Sequence, residues 1–158
     1  MLGLTIALAM IMSYIEALVP LSFAVPGIKM GLANIVIIFV LYKISTKEAI
    51  LVSLIRVILV SLLFSNVMAM SYSIAGAVLS LLVMWVLKKT DKFSVIGVSI
   101  AGGIMHNVGQ IIMAVILLGT EQIALYLPVL IITGTATGVV IGIVAGLVIN
   151  RFRNIRIG

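Results

Sequence analysis

Six long apolar runs, separated by short gaps, constrain this chain more than any other feature. They are Leu2–Val19, Ile28–Tyr42, Glu48–Phe64, Val67–Leu87, Phe93–Leu118 and Ala124–Ile149, and the fourth and fifth carry no charged residue. Hydrophobic residues make up 64% of the 158 residues and charged ones 9%, where soluble domains carry about a quarter charged. Such a chain cannot present a charged surface to water on all sides. A membrane-crossing helix needs about 20 apolar residues, with a range of about 17 to 25. The second run is short by that standard, and the others reach it. The expectation is an all-α polytopic membrane protein, with six transmembrane helices in one bundle and residues 1–158 forming a single domain. The apolar start and the small-x-small triplet Ser22–Ala24 resemble a signal peptide. A basic leader is lacking and Glu16 interrupts the apolar stretch, so a retained first helix is expected.

The basic residues predict the orientation. Lys43 and Lys47 lie between runs two and three, Lys88, Lys89 and Lys92 between four and five, and Arg151, Arg153 and Arg156 after six. Six crossings put all eight on one face and leave only Lys29 on the other. The positive-inside rule then makes both termini cytoplasmic, in a multi-pass cell-membrane protein. A re-entrant second segment would split these clusters, which favours a true crossing. The net charge of +6 therefore speaks of topology and not of nucleic-acid affinity. The first outer connection, Pro20 to Lys29, contains two prolines and a glycine that break helix. It reads either as a lid or as a plain connector.

Polar residues inside the runs are costly. An Arg at mid-membrane costs roughly 3 kcal/mol even on mild insertion scales. Arg56 lies nine residues into the third run and requires an acidic partner or an anionic ligand. Glu16 is the acid available within a run. An Arg56–Glu16 pair is one reading, and anion binding by Arg56, helped by Lys29, is the other. In the fifth run His106 and Gln110 share a helix face, while Asn107 is offset by about 100°. Gly102, Gly103 and Gly109 are expected to leave room beside them. These groups read as a ligand site or as an interhelical hydrogen-bond clamp, worth about 0.6–2 kcal/mol per bond. Asn34 in the second run is a further candidate, whereas Glu48, Asp91 and Glu121 read as helix-end or loop residues. Small residues recur every four positions at Thr5, Ala9, Ser13 and Ala17, and at Gly134, Gly138, Gly142 and Gly146. This spacing lets helix backbones approach closely. The glycine stripe is expected to pack inside the bundle, and the first stripe is open to a neighbouring subunit.

Several chemistries are absent from the sequence. Without cysteine there is no disulfide, thiolate or Cys-based metal site. One His and four acids leave almost no metal-binding repertoire, and no cofactor is expected. No Gly-rich phosphate loop precedes a Lys-Ser/Thr pair, so the chain is no ATPase of its own. His106 has no Asp or nucleophile to orient, which argues against a triad.

Five blocks carry a resemblance. They are Val25-Pro-Gly-Ile-Lys-Met-Gly-Leu-Ala-Asn-Ile-Val36, Ser53-Leu-Ile-Arg56, Ser73-Ile-Ala-Gly-Ala77, Gly103-Ile-Met-His-Asn-Val-Gly-Gln110 and Tyr126-Leu-Pro-Val-Leu130. Over nearly its whole length the chain resembles the Gx transporter family, also labelled heptaprenyl diphosphate synthase component I. That family is similar to the substrate-binding S components of energy-coupling factor transporters. The resemblance implies capture of a vitamin- or cofactor-like solute from outside, and docking on a transmembrane coupling subunit with two cytoplasmic ATPases. It also implies that Ala9, Ser13 and Ala17 face the coupling subunit, that Pro20–Lys29 forms a lid, and that the bundle topples to release its ligand. The enzyme label conflicts with the residues, because prenyl synthases use Asp-rich motifs and this chain has only Asp91.

The leading expectation is a non-enzymatic component binding a small anionic solute. Arg56 and Lys29 would counter its charge, His106, Asn107, Gln110 and Asn34 would hydrogen-bond it, and Glu16 would lie at the same site. One alternative is a non-catalytic membrane partner of isoprenoid or quinone biosynthesis or of a redox complex. Another is a self-sufficient carrier using Glu16 and His106 as coupling groups.

Overall fold

A computed structural model describes residues 2–18 and 31–152. The Pro20–Lys29 connection, with Lys29 itself, lies outside the described residues, as do Arg153 and Arg156. The described helices are α1 (Leu2–Leu18), α2 (Ala33–Lys43), α3 (Thr46–Phe64), α4 (Val67–Lys89), α5 (Val95–Leu118) and α6 (Leu127–Arg151), with a 3-10 helix at Glu121–Tyr126 before α6. Side chains start three of them. Ser45 Oγ accepts the Glu48 N–H at 3.2 Å, Asn66 Oδ1 accepts that of Ala69 at 2.8 Å, and Ser94 Oγ accepts that of Gly97 at 3.2 Å. Such caps satisfy donors that the first turn leaves unpaired, each worth about 1 kcal/mol. α5 ends at Gly119, whose φ of 63° is open to glycine without strain.

The helices form a ring in the order α1, α3, α4, α5, α6, α2, each packed on the next, with α2 also packed on α3. Lysines in the last turns of α2 and α4 tie one end of this ring together. Lys88 Nζ donates to the Leu41 carbonyl near the end of α2, and Lys43 Nζ donates at 2.8 Å to Phe152 after α6. Positive charge is favourable at helix C-termini. Lys88 also lies 5.3 Å from the Tyr42 ring and Lys89 5.5 Å from the Trp85 ring. We call this the basic end.

α2 is shorter than the apolar run that predicts it. Its 11 residues span only about 16 Å, roughly half of a 30 Å hydrocarbon core. Ala33, Val36, Ile37, Ile38, Val40 and Leu41 are all buried. A helix apolar on every side belongs inside a protein as readily as in lipid, and here it is the centre of the core. Around it pack Ala9, Ala49, Val52, Leu81, Met84, Val98, Ile141 and Ala145. Among the described residues, three stretches are long and apolar enough to cross a membrane: Val67–Lys89, Val95–Leu118 and Glu121–Arg151. Outward-facing Leu4, Leu8, Ile11, Ile15 and Leu18 on α1, and Ile112 and Ile116 on α5, give the exterior the apolar character of a membrane protein.

Glycine seams join α5 to both neighbours. A Cβ on Gly138 would meet the Ile100 Cα at 2.7 Å, one on Gly142 the Ile96 Cα at 2.7 Å, and one on Gly103 the Gly134 carbonyl oxygen at 2.7 Å. On the other side a Cβ on Gly109 would meet the Ala75 carbonyl oxygen at 2.7 Å, while Gly102 faces Met84 and Ser80. Gly102, Gly103 and Gly109 thus admit neighbouring helices and do not leave empty room. The stripe on α6 packs inside the bundle through Gly134, Gly138 and Gly142. It ends before Gly146, where an added Cβ would meet nothing within 4 Å. Gly138→Ala is expected to destabilise the purified protein by ~1–3 kcal/mol, seen as a lower apparent Tm in detergent. Gly146→Ala is expected to leave the Tm unchanged. Equal tolerance at the two positions would contradict this packing.

Candidate functional site: a polar tier at mid-depth

Helix rise sets the height of each polar residue above the basic end. Ser13 is 11 steps from Leu2, Arg56 is 10 from Thr46 and His106 is 11 from Val95, so all three stand at about 15–17 Å. Because the C-terminus of α2 is tied to the basic end, its N-terminus stops at the same height. The apolar core fills the level of α2. Immediately above it comes a tier of polar groups on the surrounding helices.

On one wall, α1 holds both α3 and the start of α2. The Arg56 Nη1 donates to Ser13 Oγ at 3.1 Å, and Ser13 Oγ donates to the Ala9 carbonyl at 3.0 Å. Arg56 Nε is enclosed and has no hydrogen-bond partner among the described residues. Glu16 lies near enough to act on the Arg56 charge, yet its Oε1 accepts the Gly31 N–H at 2.7 Å. The expected Arg56–Glu16 pair is therefore a longer-range attraction, with the carboxylate bonded to the backbone. Gly31 has a φ of +71°, and its carbonyl accepts the Asn34 N–H at 2.8 Å. The Asn34 amide nitrogen lies 3.2 Å from the Cβ that Gly31 lacks.

On the opposite wall, the α5 residues separate by direction. Gly102 and Gly109 mark the line facing α4, and Gly103 and Asn107 the line facing α6. His106 and Gln110 occupy the sector between these lines, toward the ring interior. They flank Gly76 of α4, whose absent Cβ would lie 3.1 Å from His106 Cε1 and 3.0 Å from Gln110 Cγ. Asn107 instead donates from Nδ2 to the Leu130 carbonyl on α6 at 2.6 Å. Gly134 makes room for it, since a Cβ there would come 2.8 Å from the same Nδ2. Asn107 is thus a clamp, and His106 with Gln110 remain on the tier.

The small-residue stripe of α1 requires a correction. Ala9 is fully buried in the core and Ser13 is 7% exposed. Both face α2 and α3 of their own chain, so they do not present a surface to a neighbour. The Ala17 side chain lies outside the described residues. Sequence reasoning also missed Ser13 as the partner of Arg56. The match in height needs the observed start of α3 at Thr46, two residues before the apolar run begins. Among the described residues, no group of three His, Asp or Glu converges as a metal site.

These features define a helical membrane-type protein with polar groups at mid-depth on its helices. A family model for heptaprenyl diphosphate synthase component I matches residues 5–148, and the chain belongs to that family. No curated protein and no solved structure matches it. Asn107→Ala is expected to lower stability by about 0.6–2 kcal/mol, measured by reversible unfolding in detergent. No loss would remove the clamp.

Proposed function

We propose that this chain is the solute-capturing membrane component of an importer, akin to the S component of an energy-coupling factor system. The basic end faces the cytoplasm, and the polar tier is approached from outside by a small anionic solute. The chain itself performs no catalysis. A transmembrane coupling subunit and two cytoplasmic ATPases supply the energy. One observation carries this reading: α2 stops at mid-depth and an apolar core fills the basic half, while Arg56 on α3 and His106 on α5 stand at about the height where α2 ends. A floor below and polar walls around suit a binding chamber closed toward the cytoplasm. The family name speaks of a component, which supports dependence on partners. Docking through α1 would use the exposed Leu4, Leu8, Ile11 and Ile15 face, not Ala9 and Ser13.

The family name also favours a second reading, a non-catalytic membrane partner of prenyl diphosphate synthesis. Affinity purification from native membranes separates the two. The importer reading expects a coupling subunit and ATPases in the eluate. A prenyl synthase without ATPases would overturn it. Orientation has its own check, since the chain has no cysteine. A single cysteine replacing Lys92 is expected to react with impermeant maleimide only after the cytoplasmic side is opened. One replacing Asn66 is expected to react on intact cells.

A further inference from the structure

Ser13 and Glu16 lie one helical turn apart on α1, and each restrains a different group. Ser13 gives its only hydroxyl proton to the Ala9 carbonyl. Its lone pairs are therefore left to accept from Arg56 Nη1. This chain of bonds fixes the plane of the guanidinium. Glu16, which would otherwise close on Arg56 in a low-dielectric interior, is held by the Gly31 N–H at 2.7 Å. The consequence is an enclosed Arg56 Nε without a hydrogen-bond partner among the described residues. A buried charged donor left unmade is expensive, and a guanidinium edge matches the two oxygens of a carboxylate or phosphate. The N-terminus of α2 begins one turn of α1 away, and its dipole adds positive potential to the same region.

We propose that the Nε edge of Arg56 seats a ligand oxyanion, that Ser13 is the positioning residue for that edge, and that Glu16 is a resident counter-charge limiting its affinity. The proposal rests on the solute-binding reading and narrows the solute to one bearing a carboxylate or phosphate group. It also changes the role of Glu16, from a group that holds the ligand to one that opposes it.

The test uses the full chain in phosphatidylcholine nanodiscs with ¹⁵N-labelled arginine. The chain contains four arginines, and Arg56→Lys assigns the Arg56 Nε–H signal. Inorganic phosphate and succinate are titrated separately, and a parallel sample contains phosphatidylglycerol with no added anion. A saturable displacement of the Arg56 signal is expected. Ser13→Ala should weaken binding by about tenfold or more, while Ser13→Thr, which keeps the hydroxyl, should retain it. Glu16→Gln should tighten binding, because its amide oxygen still accepts from Gly31 while the opposing charge is gone. A displacement seen only with phosphatidylglycerol supports the oxyanion edge and assigns it to a lipid headgroup. No displacement with any probe, unchanged affinity in Ser13→Ala, or weaker binding in Glu16→Gln would each overturn the proposal. Anion binding without ATPase co-purification would overturn the importer reading alone. ATPase co-purification with a silent Arg56 signal would overturn this proposal alone.

Discussion

An 11-residue helix sits at the centre of a bundle whose longest helices have 23 to 25 residues. Everything else in the molecule follows from that mismatch. Because lysines fix the C-terminus of α2 at the basic end, its N-terminus can reach only mid-depth. Apolar side chains from the other helices converge on α2 and fill one half of the interior. α2 begins at Ala33, and near that height the neighbouring helices carry Ser13, Arg56 and His106.

The two walls of the tier are built differently. α5 approaches α4 and α6 along glycine seams, which give van der Waals contact and close backbone approach where lipid offers no hydrophobic drive. That rigid pair of seams sets the direction of His106 and Gln110. The facing wall relies on polar contacts: Arg56 on Ser13, and Glu16 on Gly31. An arginine at this depth costs roughly 3 kcal/mol. One hydrogen bond and a nearby carboxylate offset part of that cost, and its Nε has no hydrogen-bond partner among the described residues.

Helix positions were legible because hydropathy and cap residues mark them: α1, α3, α4 and α5 end within two or three residues of the apolar runs. The nature of α2 was not legible. A run apolar all round has the same composition whether lipid or protein surrounds it, so Ile28–Tyr42 reads as a crossing. The 100° offset between His106 and Asn107 was legible, yet the sequence reading assigned both to one site. Which of them clamps depends on the Leu130 carbonyl, and no side-chain pattern reveals a backbone acceptor on another helix. The stripes were legible as packing faces but not in their partners. Small side chains signal close approach without saying whose backbone arrives, and Ala9 and Ser13 meet their own chain.

The family places this protein among components that work with others, and a polar tier closed on the basic side gives such a component something to carry. The most direct measurement is native mass spectrometry of the protein extracted from its own membranes. A small-molecule adduct of defined mass on the wild type, absent from a folded Arg56→Met variant, is the predicted result. A wild type that flies bare, or an adduct that persists unchanged without the guanidinium, would contradict a solute site at Arg56.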